Sequence, residues 1–480
     1  MLEKRAFYID GAWTDPKAGK DHHVIDPSTE EPCAVISLGG QADTDAAVAA
    51  AKAAFPAWAA TSPEERIAYL EKILEAYKAR SEEMAQAISM EMGAPIDMAR
   101  ESQVGAGIWH FKGFLKAAKE FEFIAPLGDH APNDRIIHEP IGVVGMITPW
   151  NWPMNQISLK VGAALVAGCT MVLKPSEESP ISAMIFAEAV DAAGLPKGVF
   201  NLVNGDGVGV GTQLTAHDDV DMISFTGSSR AGKLISKGAA DTLKRVSLEL
   251  GGKGANLVFA DADEKAVKRG VLHCMNNSGQ SCNAPTRMLV QREIYDQAVE
   301  TAAEVANSVS VGSAHDAGRH MGPVVNAVQF QKIQDLIQKG IDEGARLVAG
   351  GTGRPDGLNR GFFVRPTVFA DVTNDMTIAR EEIFGPVLSI MAFDTEEEGI
   401  AIANDTVYGL TNYVQTQDGA RANRLARALR SGMVEMNGQG RGMGSPFGGM
   451  KQSGNGREGG KWGIEDFTEV KAVSGWSNAG

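Results

Sequence analysis

The sequence predicts an α/β fold built on parallel sheets, and three observations carry that expectation. From Ile141 onward, short runs of strand length alternate with segments of helix length. The strand-like runs are almost continuously apolar rather than alternating, as strands covered on both faces are. Glycine, serine and asparagine gather where strands would pass into helices, the position at which such sheets bind ligands.

Taken in order, Ala46 to about Phe123 reads as a helical region, rich in alanine and interrupted by Pro56 and Pro63. Ser62-Pro63-Glu64-Glu65 is a helix start, with proline in the first turn and acids facing the positive end of the helix dipole. Ile141 to Ile147 is a strand. Strands follow at Met171 to Leu173, Val199 to Val203, Met222 to Phe225 and Val246 to Leu250, separated by helices at Ile181 to Ala193, Val208 to Ala216 and Ser228 to Ala240.

After the glycine break at Gly251-Gly252, a second series runs from Ala255 to about Gly438. It has helices near 262–276, 296–308, 327–343, 397–404 and 420–429, and strands near Thr367, Val387 and Met433 to Asn437. Two such units with a cleft between them suit a two-substrate enzyme. The segment from Phe121 to Pro140 and the alternating tail after Phe467 read as peripheral strands, suited to pairing with another subunit.

A chain of 480 residues, 44% apolar and 22% charged, can bury a large core. Its formal charge of -15 is spread along the chain and argues against nucleic-acid or anionic-membrane binding. The four cysteines, Cys33, Cys169, Cys274 and Cys282, form no C-x-x-C pair. A disulfide framework and a metal site are therefore not expected, and a reducing, cytoplasmic setting is. Met1 to Tyr8 carries Glu3, Lys4 and Arg5 with no apolar run behind it, unlike a signal peptide. No apolar stretch approaches the ~20 residues that cross a bilayer.

Cys282 lies in Asn277-Ser278-Gly279-Gln280-Ser281-Cys282-Asn283, a loop or helix start where a thiol is accessible and a helix dipole would favour its ionisation. A lone cysteine is more often a small core residue. The other three, set among apolar neighbours, keep that reading. Glu249 alternates with Leu248 and Leu250 at the end of a strand, where partial burial would raise its pKa and suit it as a general base. A surface glutamate at a strand end is the plainer alternative. Asn151, between two tryptophans and two prolines in Thr148-Pro149-Trp150-Asn151-Trp152-Pro153, is a candidate oxyanion donor or a helix cap.

Lys174 and Glu177 end one strand, at a place suited to ribose hydroxyls. Phe225-Thr226-Gly227-Ser228 opens a helix, where backbone N–H groups suit a pyrophosphate. Gly205-Asp206-Gly207-Val208-Gly209 opens another helix but is no G-x-G-x-x-G motif. Three such turns at successive strand ends favour a nucleotide. Composition assigns nothing to the loops at Glu381 to Val387 and Pro446 to Gly454.

Taken together, these segments resemble the aldehyde dehydrogenase superfamily from about Phe7 to Val473. The resemblance rests on Pro149-Trp150-Asn151, Lys174-Pro175-Ser176-Glu177, Phe225-Thr226-Gly227-Ser228, Glu249-Leu250-Gly251-Gly252, Gly279-Gln280-Ser281-Cys282, Glu382-Ile383-Phe384-Gly385-Pro386 and Pro446-Phe447-Gly448-Gly449-Met450-Lys451-Gln452-Ser453-Gly454. It implies an aldehyde dehydrogenase-like fold. A Rossmann-type dinucleotide-binding domain would span 1–120 and 141–250, a catalytic domain 251–455, and a small β oligomerisation arm and tail 121–140 and 456–480. Homodimers or homotetramers are usual among such proteins.

By the same resemblance, the Cys282 thiolate attacks the aldehyde. Asn151 and the Cys282 N–H hold the oxyanion of the thiohemiacetal, hydride passes to NAD, and Glu249 activates the water that hydrolyses the thioester. Lys160 and Gly252 match further active-site positions. Lys174 and Glu177 would hold the adenosine ribose, Ser228 the pyrophosphate, and Glu382 with Phe384 the nicotinamide side. Thr148, Pro149, Trp150, Ser176, Gly207, Phe225, Gly227, Leu250 and Gly251 would complete the cofactor site. A carboxylate at Glu177 would repel a 2′-phosphate, which favours NAD over NADP.

Trp152, Asn155, Gln156, Ser281, Asn283, Arg441 and Phe447 are the candidate substrate residues. Trp152 stands where many relatives have phenylalanine, and the loop from Gly438 to Gly444 lacks the aromatic residues that often line the aldehyde tunnel. A wide, partly polar tunnel follows, in which Arg441 is either a carboxylate anchor for a semialdehyde or a solvated loop charge. The resemblance also leans toward members that oxidise aromatic semialdehydes. A coenzyme A-acylating enzyme, or a non-catalytic binding or structural protein on the same fold, is the alternative. The presence of both Glu249 and Cys282 argues for hydrolysis and for catalysis.

Overall fold

The computed structural model describes residues 1–477 and contains two seven-stranded sheets. In the first, Arg245–Glu249, Met222–Thr226, Val143–Ile147, Thr170–Lys174 and Phe200–Leu202 lie side by side and parallel. The chain starts the parallel part of this sheet at Val143–Ile147, builds outward through Thr170–Lys174 and Phe200–Leu202, then crosses back to Met222–Thr226 on the other side. That reversal is a topological switch point, and a crevice opens there at the carboxyl ends of the strands. Thr148, Lys174, Thr226 and Glu249 all sit at those ends.

The second sheet runs Arg346–Ala349, Thr367–Ala370, Val387–Phe393, Arg287–Gln291, Ala255–Val258, Thr411–Gln415 and Met433–Met436. Only its first strand is antiparallel. Every strand of the first series is present. Four strands of the second, at 255–258, 287–291, 346–349 and 411–415, were not expected from the sequence.

Several expectations are corrected. The first 38 residues hold five strands where none was expected. Phe7–Ile9 and Ala12–Thr14 extend the first sheet antiparallel, and Leu2–Lys4, Lys20–Asp26 and Glu31–Leu38 form a separate small sheet. Runs of three residues carry no readable alternation, so tertiary pairing alone defines them. Pro56 does not interrupt a helix but lies inside Gln41–Ala59, one turn from its end, where it forfeits a single N–H bond. Pro63 does open a new helix, with Ser62 Oγ accepting from Glu65 N at 3.2 Å.

The helix expected from Val208 begins as a glycine-rich π turn, Gly207–Gly211, before Thr212–Ala216. In the tail, Gly460–Asp466 is a helix whose Ile464, together with the adjacent Phe467, packs into the core of the first unit. Only Thr468–Val473 is peripheral strand; it pairs with Arg135–Pro140, which in turn pairs with Ile124–Pro126. The last three residues assigned to the tail, 478–480, lie outside the described residues. Among the described residues no helix is long and apolar enough to cross a membrane, and no cluster of three metal-ligating side chains occurs.

Candidate active site

Two cavities meet at Cys282. One, of about 220 Å³, is walled by Pro149, Trp150, Thr226, Ser228, Gly251, Glu382 and Phe384 from the strand ends of the first sheet and the loop before Val387. The other, of about 450 Å³, is walled by Trp109, His110, Trp152, Asn155, Asn283, Arg441 and Phe447. Cys282 and Gln156 line both, so one thiol faces two chambers. Asn151 lines the first.

The loop that presents Cys282 is built under constraint. Asn277 and Ser278 hold φ of 52° and 57°, and Gly279 holds +71°. A Cβ on Gly279 would stand 2.1 Å from the Gly385 carbonyl, so only glycine fits. A Cβ on Gly252 would stand 2.4 Å from Cys282 O, which ties the strand-end glycines to the same loop. Asn151 Nδ2 donates to Gln280 O at 3.0 Å, while the Asn151 carbonyl accepts from Asn277 Nδ2 at 2.9 Å and Gln103 Nε2 at 3.1 Å. The amide is thus fixed against the cysteine loop with a second N–H to give. That is how an oxyanion donor is preorganised.

Cys282 does not open a helix. It lies in a turn after a 3₁₀ segment, Asn276–Gly279, and the next regular element is the strand Arg287–Gln291. The expected ionisation by a helix dipole is therefore overturned. Burial pushes the thiol up to about 12, the carboxyls of Glu382 and Glu249 add to the rise, and Arg441 opposes it. Cys33, Cys169 and Cys274 are free thiols raised in the same way by burial, and none lines either chamber.

Glu249 is more deeply buried than a half-covered strand end, at 2% exposure, and lines neither cavity. Its carboxyl sits in a recess that glycines keep open. A Cβ on Gly448 or Gly456 would stand 2.7 or 2.8 Å from its Oε1. Neither oxygen has a hydrogen-bond partner among the described residues. Burial, then the neighbouring Glu458 carboxylate, pushes Glu249 well above the usual range, against Lys160 and Arg457. Lys160 lies behind Glu249, outside both cavities, its Nζ donating to Glu458 Oε1 at 2.7 Å and Ser224 Oγ at 3.0 Å. Its charge opposes the rise in the Glu249 pKa.

On the first-cavity side, Phe384 (φ 59°) packs edge-on against Trp150 at 5.5 Å. Glu382 Oε1 accepts from Gly252 N at 2.8 Å, and a Cβ on Gly251 would stand 2.2 Å from Glu382 Oε2. Thr226 Oγ1 is buried without a partner on the same wall. An orphaned hydroxyl, a glycine cradle and a helix start capped by Ser228 fit a dinucleotide.

Leu250 and Gly227 also line that cavity, whereas Phe225 does not and packs its ring against Gly227. Thr148, Lys174, Ser176, Glu177 and Gly207 lie at neighbouring strand ends, outside the cavity. Lys174 is buried and binds Pro175 O and Gly205 O at 2.7 and 2.5 Å, so it also clasps two loops. Burial lowers its pKa.

On the other side, Ser281 is not a wall residue. Its Oγ accepts from Trp152 Nε1 at 2.8 Å and so fixes that indole. Asn155 Oδ1 lies 2.7 Å from His110 Nε2, and burial pushes His110 down to about 4, so this ring is neutral. Arg441 Nε donates to Glu435 Oε1 at 3.1 Å, and its guanidinium stands 4.7 Å above the Phe447 ring.

Trp109, His110, Glu101, Gln103, Glu435, Lys332 and Glu458 were not anticipated. The first two ride on Gly105–Glu120, beside Phe111 and Phe114, and read as core by period alone. Glu458 follows the glycine-rich motif by four residues, which was the one available signal.

Residues 13–473 match the model of the aldehyde dehydrogenase family. The chain is 50% identical over 481 residues, with full coverage of both chains, to a protein from Pseudomonas sp named 3-succinoylsemialdehyde-pyridine dehydrogenase. It is 62% identical to an aldehyde dehydrogenase of known structure from Bartonella henselae, covering 99% of this chain and 100% of that one at a TM-score of 0.98. A mutant of aldehyde dehydrogenase C from Pseudomonas syringae, solved with NAD+ and octanal, is 49% identical at a TM-score of 0.96, covering 99% and 98% of the two chains.

Proposed function

The chain belongs to the aldehyde dehydrogenase family, and on that premise we propose that it oxidises an aromatic aldehyde or semialdehyde to the carboxylic acid, with NAD, by covalent catalysis at Cys282. The observation that carries this reading is the junction. One thiol faces a dinucleotide-like chamber on one side and a larger aromatic-walled chamber on the other.

A bound nicotinamide dinucleotide would supply the hydride acceptor. Pro149, Trp150, Thr226, Ser228, Leu250, Gly251, Glu382 and Phe384 would hold it at the cavity, with Lys174, Ser176, Glu177 and Gly207 at the adjoining strand ends. Glu177, half-buried beside Lys174, favours a free 2′-hydroxyl over a phosphate. The presence of NAD+ in the Pseudomonas syringae structure accords with this choice.

The chain's own residues then act in sequence. The Cys282 thiol gives its proton to water in the open cavity, its sulfur adds to the carbonyl carbon, and the developing oxyanion takes the free N–H of Asn151 and the Cys282 backbone N–H. Loss of hydride leaves a thioester on Cys282. Glu249 rotates from its glycine recess and takes a proton from the attacking water, and Lys160 and Glu458 behind it set the charge of that carboxyl. Water is the acceptor rather than coenzyme A because a buried base lies near enough to the thiol to act on it electrostatically.

The aldehyde chamber accords with an aromatic substrate, since Trp109, Trp152 and Phe447 give it flat apolar walls. The Pseudomonas relative is named for a pyridine semialdehyde. The sheet of Ile124–Pro126, Arg135–Pro140 and Thr468–Val473 leaves Val470 at 61% and Ile124 at 52% exposure, which supports its use as an arm between subunits of a homodimer or homotetramer. Four free thiols accord with a reducing, cytoplasmic setting.

The test is NADH absorbance on mixing enzyme and NAD with aliphatic, aromatic and semialdehyde substrates, with NADP in parallel. NADH formation, fastest on the ring-bearing compounds and at least tenfold slower with NADP, is the expected result. Silence with every aldehyde overturns the reading.

A further inference from the structure

The aldehyde chamber has an uneven charge account. Its walls carry two charged side chains, Glu101 and Arg441. The Arg441 charge is already matched, because Nε donates to the carboxylate of Glu435, whose side chain is only 13% exposed. His110, held neutral by burial, adds nothing. Glu101 has no ion-pair or hydrogen-bond partner among the described residues. It stands where the chamber opens into a larger cleft of about 590 Å³ that it also lines. One negative charge, on an exposed side chain, is therefore left over among the chamber's own walls, while Arg319 lines the cleft beyond it.

We infer that this chamber selects aldehydes whose far end is uncharged or cationic, such as an aryl or nitrogen-heteroaryl group, and rejects those ending in a carboxylate, with Glu101 and Glu435 as the discriminating residues. The inference rests on the aldehyde-oxidising reading above and narrows it. An incoming carboxylate meets the field of Glu101 at the mouth, and can bind Arg441 only by sharing it with Glu435. A neutral acceptor, such as a ring nitrogen or a ketone, faces no such competition. The Nη groups of Arg441 remain for it, and the guanidinium is already oriented by Glu435 and by Phe447 beneath it. The same field assists release, since each turnover leaves a carboxylate in the chamber. Arg441 is thus a donor to neutral groups, neither the carboxylate anchor nor the solvated loop charge between which the sequence left it.

The test uses one ring with three para substituents: benzaldehyde, 4-carboxybenzaldehyde and 4-(trimethylammonio)benzaldehyde, with pyridine-3-carboxaldehyde as the heteroaryl probe. Wild-type kcat/KM is expected to be about tenfold or more lower for the carboxylate than for the neutral and cationic compounds, with a gap that narrows at high salt. Glu101→Gln should close the gap severalfold. Glu435→Gln, by releasing the Arg441 charge, should raise kcat/KM for 4-carboxybenzaldehyde about tenfold relative to benzaldehyde. A wild type that treats the carboxylate as well as the neutral ring, or ratios unmoved by both variants, overturns the inference while leaving aldehyde oxidation standing. No NADH from any of the four compounds overturns both.

Discussion

Replacing Glu249 by glutamine should separate the two halves of the reaction. The side chain keeps its size and loses its basicity. Because the carboxyl is buried at 2% exposure with both oxygens unpartnered, no hydrogen bond is broken by the change. Removal of a charge that burial and Glu458 already disfavour should leave the melting temperature level or raise it. Formation of the thioester uses Cys282 and Asn151 and should survive. Its hydrolysis should slow by the ~10²–10⁴-fold that a positioned general base supplies, about 3–5 kcal/mol in the barrier.

Stopped-flow absorbance should then show a burst of about one NADH per active site, followed by a steady rate at least a hundredfold below wild type. The sign with pH follows from the raised pKa. Glu249 must lose its proton to act, so wild-type hydrolysis should accelerate as pH rises through that elevated value, and the variant should lose this limb. An unchanged steady rate, or loss of the burst together with the steady rate, would refute the assignment of Glu249 to deacylation.

Asn151→Ala should instead slow the first half, lowering kcat about 10²–10³-fold without a burst, as measured by single-turnover NADH formation. Gly279→Ala should cost at least about 2 kcal/mol by calorimetry, because it joins a strained φ of +71° to a Cβ 2.1 Å from the Gly385 carbonyl. Glu91, buried under Pro180–Ala192 and accepting from Ile181 N and Ser182 N at 2.6 and 2.9 Å, is pushed up by burial from 4.5 to about 7. The folded state therefore holds that proton more tightly. Its stabilising contribution is full below pH 4.5 and is lost as pH rises through about 7. Denaturant titrations should show wild-type stability falling across that window, relative to Glu91→Gln, by up to about 3 kcal/mol.

The sheets were legible because buried parallel strands write themselves as apolar runs, and Val143–Ile147 or Met222–Thr226 can be read almost to the residue. Phe7–Ile9 and Ala12–Thr14 could not, since three residues hold no period and the pair joins the sheet only through Leu202, nearly two hundred positions from Tyr8. The chemistry proposed for Cys282, Asn151 and Glu249 was suggested by motifs, but their electrostatics were not. The thiol's missing helix and the depth of Glu249 depend on packing. The Pro446–Gly454 loop meant nothing by composition. In the fold its Gly448 makes the recess for Glu249, and Ser453 fastens the strand end through Leu250 N and Gly251 O. The pairing of Arg441 with Glu435, six residues apart in a loop and a strand, was likewise beyond any period.

The central claim is a covalent acyl group on one sulfur. Intact-mass and peptide measurements on Glu249→Gln, quenched after mixing with NAD and benzaldehyde, test it most directly. A single benzoyl increment, confined to the peptide that carries Cys282 and absent in the Cys282→Ser, Glu249→Gln double variant, is the predicted result. NADH formation with no adduct, or an adduct on another side chain, would contradict the account.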